Sequence, residues 1–228
     1  MPDYIAQKSK VAKVAARLAD KYQPQLDKLK AESSQVDRSD FLWHYLLQSF
    51  ATMGRSKGWD GLIGNTENYN RITYPALAAL NPVQREQVLL ETCRAAKIRM
   101  PDQKAAYIKN CYAKVEEMGG LKAANNALFS QEGREAKIKF LQTMPGIGPK
   151  YARNIMMDVY HVDFRDSIAI DVRIQNITDS LGLEFKNYDS QEQFYLQAAA
   201  EAGLNGWEMD RLLYNYEDEF KVELSKLA

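Results

Sequence analysis

The sequence predicts an all-α protein. Three observations carry that reading. Most of the 228 residues show apolar side chains at helical spacing. Hydrophobic residues make up 46% and charged residues 26%, the balance of a water-facing globular chain with a real core. No low-complexity stretch or repeat interrupts the pattern, and the length suits one large domain or two small ones.

The elements follow in order. Residues 5–31 are rich in Ala, Lys and Leu, and Pro24 breaks them. Residues 40–53 put Leu42, Tyr45, Leu46 and Ser49 on one face. A long irregular stretch runs from Gly54 to about Leu80. Residues 82–97 start at Pro82 and align Leu89, Cys93 and Ala96. Residues 103–118 align Ile108, Cys111, Tyr112 and Val115 and stop at Gly119-Gly120. Two shorter helices span 121–129 and 132–143. Residues 149–160 align Ala152, Ile155, Met156 and Val159, and a last helix carries Met209, Leu212, Leu213, Tyr216 and Phe220. One segment is ambiguous. In "DSIAIDVRIQNI", Ile168, Ile170, Val172 and Ile174 alternate as in a strand, while Ile170, Ile174, Ile177 and Leu181 keep helical spacing. An extended lead that turns helical near Asp171 satisfies both, with Asp171 at the N-cap.

Composition narrows the function. Lys plus Arg and Asp plus Glu both number 30, so net charge points to no nucleic-acid partner. Locally, Lys97, Arg99, Lys104, Lys109, Lys114 and Lys122 outnumber Asp102, Glu116 and Glu117. That run reads as a basic patch or as an ordinary solvated face. Cys93 and Cys111 are too few for a four-cysteine metal or iron–sulfur site, and a reduced cytoplasmic chain is expected. The N-terminus lacks a long apolar run, so no signal peptide or membrane span is expected. His44 and His161 lack a ligand cluster and read as structural, so no metal site is expected.

"MPGIGPK", residues 144–150, separates two helical stretches. Gly146 and Gly148 admit unusual backbone angles and present bare N–H groups, and Pro149 suits a first helical turn. Such a turn is either a plain helix–helix connection or an anion site fit for a phosphodiester. The apolar-Pro-Gly-Ile-Gly-Pro-Lys order ahead of an amphipathic helix favours the second. A surface lysine is neutral in only about one molecule in 2,500 at pH 7. Lys150 beside a helix N-terminus is expected to have a lowered pKa, as an amine nucleophile requires, or else to pair with a phosphate. Asp171 follows 21 residues later, either as a structural cap or as a fixed carboxylate for chemistry at a cationic centre.

"LQTMPGIGPKYARNIMMDV" and "IAIDVRIQNITDSLG" together resemble the helix-hairpin-helix DNA glycosylase superfamily. "DQKAAYIKNCYAKVEEMGGL" resembles that family's Lys-Ala…Ile helix ending in Gly-Gly, and "LNGWEMDRLLYNY" its late helix. The likeness covers about residues 85–220 and is poor over 1–80, where only "LLQSFAT" is similar.

The resemblance implies a two-lobed helical fold with an interlobe DNA-binding cleft. Residues 1–80 would form the N-terminal part of the first lobe, with an irregular insert. Residues 81–182 would form a helical barrel lobe, with the helix-hairpin-helix at 137–160. Residues 183–228 would return to the first lobe. It implies a base-excision-repair enzyme acting on double-stranded DNA with a damaged base, extruded from the duplex. Lysine at the hairpin exit resembles the bifunctional members, which also act as AP lyases. Lys150 would then form a Schiff base, Asp171 would stabilise the developing positive charge, and Gly146, Gly148 and Pro149 would hold the backbone. The absent cluster cysteines resemble the cluster-free 8-oxoguanine enzymes. No cofactor is implied beyond a monovalent cation at the hairpin. "HVDFRDS" lengthens the usual spacing, which makes Asp166 a second candidate. Trp43, Gln48, Trp59, Trp207 and Phe220 are candidates for the base pocket, and Phe50 or Arg55 for the residue that fills the gap in the duplex. A monomer in the cytoplasm, nucleoid-associated in a prokaryote, is expected. Two other readings stand beside this one: a monofunctional glycosylase for alkylated or mispaired bases, and a non-catalytic nucleic-acid-binding module.

Overall fold

The computed structural model describes residues 3–33, 37–54 and 57–227. Helix is the regular structure throughout these residues. Two compact units divide the chain, one of residues 35–148 and one of residues 1–34 with 149–228.

The 35–148 unit is built around α2 (Phe41–Thr52). Phe41, Leu42, Trp43, Tyr45, Leu46, Leu47 and Phe50 are all buried, so almost every face of this helix is covered. Its start is capped from outside: Asn125 accepts the Leu42 N–H at 3.0 Å and donates to the Ser39 carbonyl at 2.7 Å. Asn125 lies on α8 (Leu121–Phe129) and is buried, so its amide replaces water at an otherwise orphaned helix end. The stretch 54–80 is less irregular than its sequence suggests. It holds α3 (Gly58–Leu62), α4 (Thr66–Arg71) and α5 (Tyr74–Ala78). Each is too short to show a periodic face. Gly58 lets α3 close on α2, since a Cβ there would meet the Ala51 carbonyl oxygen at 1.9 Å. α6 (Pro82–Ala95) opens with an Asn81/Gln84 capping box and packs along α7 (Pro101–Glu117). α9 (Gly133–Gln142) leads to the hairpin.

In the other unit, α1 (Tyr4–Glu32) runs past Pro24 without ending. It kinks at Tyr22 (φ −111°, ψ 16°), close to where the missing N–H of Pro24 opens the ladder. Val11, Val14, Ala15 and Leu18 form its buried face, which packs against α12 (Tyr188–Glu201), α13 (Gly206–Asn215) and α14 (Glu217–Ser225). The expected single last helix is two, broken at Tyr216 (φ −126°, ψ 33°). The Tyr22 and Tyr216 rings stack 3.6 Å apart and 9° from parallel, so the two helix irregularities face each other. α10 (Pro149–Met157) and α11 (Val172–Ser180) complete the unit.

Candidate active site

Gly146 and Gly148 do different work. Gly146 has φ +84°, and a Cβ there would lie 2.6 Å from the Tyr107 ring and 3.1 Å from Phe50. The protein itself requires that glycine. At Gly148 a Cβ would meet no atom within 4 Å, and the backbone is not in the left-handed region. Nothing within the chain demands glycine at 148, which leaves that side of the turn open.

Pro149 opens α10, where its missing N–H is harmless. Lys150 follows in the first turn and is half-buried. Its Nζ lies 4.5 Å from the centroid of the Tyr151 ring, and among the described residues no carboxylate pairs with it.

Asp171 is the N-cap of α11, as its position in the sequence predicts. Its Oδ1 accepts the Arg173 and Ile174 N–H groups at 3.0 and 3.1 Å. Among the described residues no hydrogen bond reaches Oδ2. One oxygen is thus fixed, and the other is available to a positive centre. Asp166, the second candidate, is exposed, and its Oδ1 accepts the Gly206 N–H at 3.4 Å.

Residues 167–171 lie outside the helices, and among the described residues no strand runs beside them. Ile168 and Ala169 are buried and Ile170 is half-buried, so their backbone groups need partners. Three helix side chains supply them. Glu192 Oε1 accepts the Ile168 N–H at 3.0 Å, and Asp210 Oδ1 the Ala169 N–H at 2.7 Å. The Tyr188 hydroxyl accepts the Ile170 N–H at 2.8 Å and donates to the Ile168 carbonyl at 2.9 Å. Complete burial pushes the Asp210 carboxyl up to about 6, against the pull of Arg211. Tyr188 is also raised by burial. Sequence reasoning missed these residues as part of the site, together with the whole of α12. The available signal was the alternating run itself, buried with no strand to pair it.

The remaining candidates scatter. Phe50 is buried against Tyr107, their ring centroids 5.8 Å apart, and Gln48 is half-buried on α2. Trp59 is 43% exposed on α3. Trp43 is buried and donates its indole N–H to the Ile72 carbonyl at 2.9 Å. Trp207 and Phe220 are buried in the other unit, Trp207 donating to the Met157 carbonyl at 2.8 Å. A base could stack on either only after displacing core neighbours. Arg55 lies outside the described residues.

The basic run of 97–122 is partly neutralised. Lys109 pairs with Glu86 at 3.1 Å and Lys114 with Glu117 at 3.4 Å. Lys104 is buried, its Nζ 2.9 Å from Met53 Sδ, and burial lowers its pKa. Cys93 and Cys111 are free thiols, both raised to about 12 by burial. His44 lies 2.8 Å from the Tyr69 hydroxyl and is lowered to about 4, first by burial and then by Arg38. Among the described residues no group of three His, Cys, Asp or Glu side chains could hold a metal ion. Nor is any described helix long and apolar enough to cross a membrane.

Two solved structures match almost end to end. The 8-oxoguanine DNA glycosylase of Methanocaldococcus jannaschii has a TM-score of 0.68 at 19% identity, over 90% of this chain and 92% of that one. The 8-oxoguanine DNA glycosylase of Thermotoga maritima has 0.59 at 15% identity, over 91% and 95%. The chain shares their fold. No family model and no curated protein matches the sequence. The likeness spans the all-helical architecture, including the N-terminal region where the sequence resemblance is poor.

Proposed function

We propose that this chain is a DNA glycosylase with an associated AP lyase activity, and that it removes an oxidised base, 8-oxoguanine first. The observation that carries the reading is the pair Lys150 and Asp171 in one compact unit. The lysine sits in the first turn of a helix after a glycine hairpin, with no carboxylate on its amine among the described residues. The aspartate is fixed through one oxygen only. The fold shared with two 8-oxoguanine DNA glycosylases supports both the reaction class and the choice of base.

The chemistry follows from those two groups. As the N-glycosidic bond breaks, its electron pair leaves with the base, which takes up a proton. Asp171 Oδ2 stabilises the positive charge that develops on the sugar. The Lys150 amine adds to C1′ through its lone pair and loses a proton, and the ring C–O bond opens, its oxygen taking up a proton, to give an imine. The imine draws electrons from C2′. A proton leaves C2′, the C3′–O bond breaks, and the 3′ phosphate departs. The open turn at Gly148 lets a neighbouring phosphate approach backbone N–H groups without reading sequence.

The test is borohydride trapping on duplexes carrying 8-oxoguanine, oxidised pyrimidines, uracil or an abasic site. The expected result is a covalent adduct, strongest with 8-oxoguanine among the base lesions and absent in Lys150→Gln. Binding with no adduct on any duplex would leave only a nucleic-acid-binding module. Base release without an adduct would make it a monofunctional glycosylase.

A further inference from the structure

Lys150 and Asp171 stand on different elements of one unit, α10 and the start of α11, and one buried ion pair between α10 and α12 reaches the main chain at or near each. Arg153 lies one turn after Lys150 on α10, and Glu192 lies on α12; both are almost fully buried. Arg153 Nε is 2.9 and 3.0 Å from the two Glu192 oxygens, and Nη2 is 2.7 Å from Oε2. The outer ends of the pair reach the main chain on either side. Arg153 Nη1 donates to the Pro149 carbonyl at 3.1 Å, the carbonyl of the peptide that carries the Lys150 nitrogen. Glu192 Oε1 accepts the Ile168 N–H at 3.0 Å, three residues before Asp171. The Tyr188 ring lies 4.4 Å from the guanidinium carbon, and its hydroxyl holds both Ile168 and Ile170. A continuous hydrogen-bonded path thus runs from the backbone of Lys150 to the segment that ends at Asp171.

Stability alone is a weak reason for this pair. Burying two charges costs about as much as their attraction returns, and well-packed apolar residues do as well or better. A bidentate fork, by contrast, fixes distance and angle in a way apolar packing does not. We propose that Arg153 and Glu192 are positioning residues that set Lys150 relative to Asp171 for attack on C1′. This rests on the reading of Lys150 and Asp171 given above.

The experiment measures single-turnover adduct formation on abasic duplex, together with the duplex Kd and the Tm of each protein. Glu192→Gln keeps the shape and one acceptor but loses the second acceptor oxygen and the charge. Arg153→Lys keeps the charge and loses the fork. Tyr22→Phe is the control: it deletes a part-buried hydrogen bond to Glu219 (2.6 Å) between α1 and α14 in the same unit, on none of α10, α11 and α12. A misplacement of about 1 Å costs up to about a hundredfold in rate. Glu192→Gln and Arg153→Lys are therefore expected to slow the adduct about ten- to a hundredfold, with Kd within about twofold of wild type. Tyr22→Phe is expected to lower Tm and leave the rate alone. Should Glu192→Gln fail to fold, Arg153→Lys carries the test. Rates within twofold of wild type, or rates that fall with Tm in all three variants, overturn the positioning role while the lyase reading stands. A wild-type protein that forms no adduct on abasic duplex overturns both.

Discussion

Alanine at Gly146 and at Gly148 separates what the turn does for the fold from what it does for a ligand. At Gly146 the methyl group must sit at φ +84° and 2.6 Å from the Tyr107 ring. A left-handed backbone costs an L-residue roughly 1–2 kcal/mol. The overlap adds about 1–3 kcal/mol more, because Tyr107 packs against Phe50 and cannot simply swing away. The sum, about 2–5 kcal/mol, corresponds to a Tm lower by roughly 4–20 °C for a chain of this size. At Gly148 the methyl group meets nothing, and the lost freedom of the unfolded chain is worth about 0.4–1 kcal/mol in favour of the fold. Its Tm is expected to hold or rise slightly. A phosphate placed over that turn would collide with the new methyl group. A hydrogen bond to a charged group is worth about 1.5–3 kcal/mol, so duplex binding should weaken about tenfold or more. Thermal unfolding and fluorescence anisotropy on an undamaged duplex read both quantities. Unchanged binding in Gly148→Ala, or a Tm loss equal to that of Gly146→Ala, would refute this division of labour.

Other outcomes follow from the same structure. The Asp210 carboxyl sits above its unfolded value, so the folded state holds a proton more tightly between about pH 4 and 6. Stability from this group is present at the acid end and is lost as pH rises through about 6, by about 3 kcal/mol at most. Asp210→Asn keeps an acceptor for the Ala169 N–H and should remove that dependence in denaturant titrations across pH 4–7. His44 acts in the opposite sense: its pKa lies near 4, below the unfolded value. The unfolded chain therefore takes up the proton first, and stability falls as pH drops from about 6.5 towards 4. His44→Gln should flatten that slope. Gly58→Ala places a methyl group 1.9 Å from the Ala51 carbonyl oxygen, a backbone atom, and should lower Tm in the thermal-unfolding assay in which Gly148→Ala does not.

Local signals were legible in the sequence and distant ones were not. The hairpin, Pro149 at the helix start and Asp171 as N-cap are each written within a few residues, and the structure has the turn and the cap where the pattern puts them. The alternation at 168–174 marks a non-helical lead, buried at Ile168 and Ala169, that turns helical at Val172. Its partners are Glu192, Asp210 and Tyr188, some 18 to 41 residues away, and no periodicity connects them. The Arg153–Glu192 pair is hidden for the same reason, its members 39 residues apart on α10 and α12. α3, α4 and α5 leave no helical signal in the sequence because five or six residues cannot display a face. The break at Tyr216 was invisible because its stacking partner, Tyr22, lies near the other end of the chain.

Which amine becomes bonded to the sugar is the most direct question. Borohydride-reduced adduct formed on an abasic duplex can be digested and the modified peptide sequenced by mass spectrometry. The expected result is a single modified side chain, Lys150. Modification of a different amine, with Lys150 recovered intact, would contradict the assignment on which the chemistry stands.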